Sequence, residues 1–224
     1  THGVDPVDSR LEAHRWLPFA AYAALLGGGF AAGLMSLVHY DGWLQRRRAT
    51  PLVGPGAAAV DEFRSRTWVE GLSPGRRLAL LIATGIGLHN FGEGLAIGQS
   101  AAAGELSLAL VLIIGFGLHN TTEGFGIVGP MSAEAERPSW AFLGLMGLIG
   151  GGPTFLGTVL GQAWSSEAVS VVFFTVAAGS ILYVVQELFA VNRRFDHPRV
   201  VTWLVLAGIV LGFATDFVVT AAGV

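Results

Sequence analysis

Cysteine is absent from the 224-residue sequence, which removes disulfides, thiolate nucleophiles and Cys-based metal sites together. Lysine is absent as well, since all 13 basic residues are Arg. A phosphate-binding loop of the G-x-x-x-x-G-K-[ST] type needs that Lys, so direct ATP-driven work by this chain is not expected. Charge is scarce: 13% of residues carry it, against about 25% in soluble domains. With a net charge of -3 and no basic run longer than Arg46-Arg47-Arg48, nucleic acid is not expected as a partner, because neutralising phosphates takes a cationic surface. What fills the chain instead is apolar: 52% of residues are hydrophobic and the mean hydropathy is +0.60. The class this implies is an integral membrane protein of α-helices.

Six apolar stretches, at about residues 17–40, 78–100, 106–128, 139–163, 168–190 and 200–222, each match the roughly 20 residues that cross a hydrocarbon core as helix. The expected fold is an all-α polytopic bundle over residues 17–224. Ahead of it lies a polar segment, residues 1–16, with no apolar run of signal-peptide type. The sequence starts on Thr1 rather than Met, so a processed or trimmed chain is expected. Eleven of the 13 Arg fall between spans one and two, three and four, or five and six. Positive-inside then makes those connections cytoplasmic and both ends of the chain external, in a plasma or inner membrane. The 41–75 connection carries Pro51, Gly54, Pro55 and Gly56 and reads as a cytoplasmic loop, with a short interfacial helix around 60–70. Glycine is frequent, 32 residues, with close spacings such as Gly29-x-x-x-Gly33, and most of it is expected to let helices pack closely. The six Trp lie near span ends, as an aromatic belt would place them.

Spans two and three repeat each other at an offset of 30 residues: Gly85 to Ile97 and Gly115 to Ile127 are identical at eight of thirteen positions. The shared polar core is His-Asn-x-x-Glu. Successive spans run in opposite directions, so the copies meet antiparallel near mid-membrane, where inverted repeats place binding sites. At about 100° per residue, Glu93 falls angularly between His89 and Asn90, and Glu123 between His119 and Asn120. Each carboxylate can thus serve two neighbouring positions. His89, His119 and the two Glu suit one divalent transition ion, and Asn90, Asn120 and the same Glu pair offer a harder, weaker shell for a second. A lone intramembrane His or Glu could simply join two helices, but an acidic residue at mid-span costs roughly 2.5–3.5 kcal/mol, and here two come with a His one turn away. Glu187, with Gln186 before it, and Asp216 lie in the fifth and sixth spans toward opposite faces, as acids along a cation route would. His39 and Asp41 close the first span and are expected to be a solvated helix end, with a weak exit contact as the alternative.

These residues resemble the ZIP family of divalent metal-ion transporters. The resemblance rests on His89-Asn90-Phe91-Gly92-Glu93-Gly94 and His119-Asn120-Thr121-Thr122-Glu123-Gly124, supported by Ala177 to Glu187. It implies a binuclear centre between the motif helices, Glu187 adding a ligand at the second position, and passage of zinc first, or iron, manganese or cadmium, toward the cytoplasm, often as a dimer. The family usually has Pro where Gly92 and Thr122 stand, has eight spans rather than six, and carries a His cluster in the loop corresponding to 41–75. Two other readings compete. An intramembrane metal-dependent hydrolase would use a metal with an open position to activate water, but no His-Glu-x-x-His pattern supplies its base. A purely structural bundle does not account for four intramembrane acids.

Overall fold

The computed structural model describes residues 16–47, 67–164, 166–193 and 197–221. They form six helices: α1 (Trp16–Arg46), α2 (Pro74–Ala102), α3 (Leu106–Val128), α4 (Trp140–Ala163), α5 (Glu167–Asn192) and α6 (Pro198–Ala221), with a short 3-10 turn (Gly129–Met131) after α3. No strand occurs among the described residues. The chain is an all-α polytopic bundle. Five of the helices are long and apolar enough to cross a membrane, and the last carries a shorter apolar stretch, Pro198–Ala214. Helix α1 runs six residues past the expected span end. The interfacial helix expected near 60–70 falls mostly outside the described residues, and Thr67 to Gly71 is a turn closed by the Glu70 amide on the Thr67 carbonyl at 3.0 Å.

Local chemistry sets the helix ends. Ser73 caps α2, its hydroxyl accepting from the Arg76 amide at 3.3 Å, and Pro74 occupies the first turn, where a missing N–H costs nothing. Ser139 caps α4 through the Phe142 amide at 3.2 Å. The α2–α3 turn passes through Gly104 at φ +81, a left-handed conformation that disfavours any residue with a Cβ.

Glycine decides which helices pair. A Cβ on Gly33 would strike the Val176 backbone, and one on Gly179 the Phe30 backbone. Helices α1 and α5 therefore lie backbone to backbone, running parallel. Gly94, Gly98, Gly157 and Gly161 each face partner backbone in the same manner between α2 and α4, also parallel, and α3 rests mainly on α2. Helix α6 makes no extensive packing with the others among the described residues. Packing does not explain every glycine: Gly27, Gly28, Gly115, Gly117 and Gly124 have nothing within 4 Å of a would-be Cβ.

The helices form two groups, α1 with α5 and α2 with α4 and α3, joined through an α2–α5 contact at least as extensive as that of α2 with α3. They meet along an antiparallel α2–α5 seam whose contacts recur every seven residues: Gln99 with Ser170, Gly92 with Ala177, and Gly85 with Val184. Gly92, where the family usually has Pro, thus admits the Ala177 methyl, 3.1 Å from its would-be Cβ. At the Arg-rich end the seam is packed shut by Leu37, Leu81, Ile82, Tyr183 and Val184. There Arg77, also buried, donates to the carbonyls of Leu72 at 3.2 Å and Val69 at 3.5 Å. Outward faces are apolar, with Leu118, Phe125, Leu148 and Trp203 exposed, as a bilayer requires.

Candidate metal site

Helix α2 brings His89, Asn90 and Glu93 to mid-length, and antiparallel α3 sets His119, Asn120 and Glu123 opposite them. Both imidazoles converge on one carboxylate oxygen: His119 Nε2 stands 2.6 Å and His89 Nε2 3.4 Å from Glu93 Oε1. Donor atoms of these three residues all lie within 4.8 Å of one another. Ligand atoms on one tetrahedral ion at about 2.0–2.2 Å sit roughly 3.5 Å apart, so small rotamer changes complete the set. Glu93 is 7% exposed. A carboxylate so deep is tolerable when paired with cationic or metal partners.

The Asn side lies against the same carboxylates. Asn90, 1% exposed, donates through Nδ2 to Glu123 Oε2 at 3.2 Å and to the Gly150 carbonyl of α4 at 3.1 Å. With its amide nitrogen turned toward Glu123, Asn120 donates to the same Oε2 at 3.0 Å. Glu123 is therefore gripped by both Asn, while Glu93 is gripped by both His. Among the motif residues, three buried side-chain atoms make no hydrogen bond: Glu93 Oε2, Asn90 Oδ1 and His89 Nδ1. Buried polar atoms are normally satisfied, and two free oxygens beside a His/Glu cluster are the chemistry a cation would meet.

Glu187 is placed elsewhere. Its carboxylate and that of Asp41 on α1 flank the Tyr183 hydroxyl. By the α2–α5 register Glu187 is level with Ile82, seven residues or roughly 10 Å along the axis from His89 toward the Arg-rich end. That depth separates it from the Asn side, with which the resemblance had grouped it. Gln186 is exposed. The ring of His39 is taken up within its own helix, Nδ1 standing 2.6 Å from the Met35 carbonyl. The side chain of Asp216 lies outside the described residues. Sequence reasoning missed the cross-seam pairs: Ser170 Oγ accepts from Gln99 Nε2 at 2.7 Å, and buried Ser180 donates to the Gly85 carbonyl at 3.2 Å. Their signal was two Ser ten residues apart in a mainly apolar helix. The large cavity between α1, α2, α3 and α5 left no signal either.

Within a polytopic helical bundle, two antiparallel copies of one motif thus bring two half-buried His together with one buried Glu, a donor set that could hold a cation. The family model for ZIP zinc transporters matches residues 65–220. The chain belongs to the ZIP family. It is 35% identical over 152 residues to the zinc transporter ZupT of Shigella dysenteriae serotype 1 (strain Sd197), covering 65% of this chain and 58% of that protein. It is 31% identical over 220 residues to the zinc transporter ZupT of Enterobacter sp. (strain 638), covering 86% and 84%. The chain thus spans somewhat over half the length of the first of these relatives. No solved structure gives a significant match.

Proposed function

We propose that this protein carries divalent transition-metal ions, zinc foremost, across a membrane toward the cytoplasm through a mid-membrane binuclear site. The observation that carries this reading is the convergence of His89 and His119 on buried Glu93. One ion takes those three residues. A second, weaker position takes Asn90, Asn120 and Glu123, with the free Glu93 oxygen bridging, because two cations a few ångströms apart repel unless carboxylates lie between them. Glu187 and Asp41 then serve as a later station on the way to the cytoplasm. The donors of both positions sit on the α2–α3–α4 body, so sliding of that body along α1–α5 would expose them to either side in turn. Orientation follows from the Arg asymmetry, which sets the Arg-rich end inside. Both relatives are named as transporters, and nothing in the site favours a hydrolase.

The test is zinc flux into proteoliposomes holding the purified protein. His89→Ala and His119→Ala should each remove most of the flux while the protein stays folded and inserted. Wild-type flux in the double variant would overturn the assignment.

A further inference from the structure

A cavity of about 1110 Å³ runs from His89 and Glu93 to the α2–α3 turn, at the end opposite the Arg-rich one. That volume equals roughly 35 waters at about 30 Å³ each, several times what a hydrated divalent ion occupies. Most of the wall is apolar, and Phe30, Phe116 and Phe174 line it. Among the described residues, neither Lys nor Arg does. Carboxylates stand at both ends: Glu93 on the floor, its Oε2 buried without a partner, and Glu105 and Glu167 at the mouth. The Tyr22 hydroxyl holds Glu167 at 2.8 Å.

We propose that this cavity binds an organic cation with an apolar body, of the aryl-ammonium or alkyl-ammonium class, and that its occupant blocks access of metal to the site. A metal ion makes no use of apolar walls, whereas a pocket of this size, mainly apolar with a few convergent polar groups, is the usual form of a small-molecule site. Its charge selects the ligand. Carboxylates above and below favour a cation and repel an anion, and aromatic faces add attraction for an ammonium group. Binding rests on the cavity alone; the block rests also on the transport reading above.

Benzyltrimethylammonium is the probe, with benzyl alcohol and phenylacetate as neutral and anionic counterparts, titrated calorimetrically into the metal-free protein in detergent. Saturable one-to-one binding of the cation is expected, with neither counterpart binding measurably. Phe174→Ala should weaken cation binding by about threefold or more while zinc binding is unchanged. Phe174→Leu, which keeps the apolar bulk and loses the π face, should do the same if the alanine variant fails to fold. No cation binding, equal binding of all three compounds, or indifference to both Phe174 variants would overturn the site. In proteoliposomes the external cation should raise the KM for zinc without lowering the maximal rate. Zinc flux unaffected at saturating cation would overturn the block. Calorimetric binding together with absent zinc flux in the wild type would instead overturn the transport reading and leave the binding site standing.

Discussion

Asn90 is the residue whose chemistry is most constrained by its surroundings. Fully buried, it donates to a carboxylate of α3 and a carbonyl of α4 at once, tying three helices at the depth of the His/Glu cluster. Asn90→Asp would set a third oxygen against those two. Unfolding of the metal-free variant in detergent should show a loss of about 2–3 kcal/mol, part of it recovered on adding zinc, since a cation would screen the three oxygens. An unchanged metal-free melting temperature would show that the contact carries no weight. Glu187 makes a contrasting case. Its level, roughly 10 Å along the axis from His89, places it beside Tyr183 and Asp41, so Glu187→Gln should slow zinc flux while leaving the number of ions bound at saturation as in the wild type. A drop in that number would make Glu187 a ligand of a bound ion instead.

Among the helices, the pairing of α1 with α5 and of α2 with α4 depends on the absence of side chains at a few positions. In lipid no hydrophobic force drives helices together, so close backbone approach has to supply the attraction. Gly33 has the Val176 backbone where a Cβ would go, while Gly28, five residues earlier on the same helix, has nothing within 4 Å. Gly33→Ala should therefore lower the yield of folded protein and its melting temperature. Gly28→Ala should be neutral or raise stability by about 0.5–1 kcal/mol through helix propensity. Equal effects of the two substitutions on thermal unfolding would show that the approach of the two backbones is not what pairs these helices.

The whole molecule has one closed half and one hollow half. Leu37, Leu81, Tyr183 and Val184 fill the seam at the Arg-rich end, and the cavity occupies the other. In the orientation that the Arg asymmetry gives, this arrangement faces outward. Because the chain has no native Cys, single cysteines report sidedness cleanly. Glu105→Cys should react with an impermeant reagent added outside intact cells, and Glu136→Cys only after permeabilisation. The reverse pattern would invert the topology. A disulfide between Gln99→Cys and Ser170→Cys would lock the two bodies at the outer end of the seam and should stop zinc flux, with recovery on reduction. Undiminished flux in the oxidised double variant would mean that the bodies do not move past one another there.

The sequence by itself determined the class, the approximate places of the helices and the motif. Apolar runs of about 20 residues have one stable form in a bilayer, a helix that satisfies its own backbone, so α3 begins and ends where the hydropathy pattern places it. The His-Asn-x-x-Glu repeat put His, Asn and Glu on neighbouring faces of each helix because helical spacing is local, and antiparallel succession of spans set the copies opposite each other. Tertiary structure alone decided the rest. Which carboxylate receives both imidazoles depends on the rotation of α2 against α3. Whether a glycine meets a neighbour's backbone or open space depends on which helices become partners, so Gly28 and Gly33 look alike in sequence and differ in the fold. The depth of Glu187 follows from the α2–α5 register, and the cavity lies where α1, α2, α3 and α5 stand apart at one end. Each of these is a relation between helices, and in a membrane that relation is set by shape, which hydropathy does not encode.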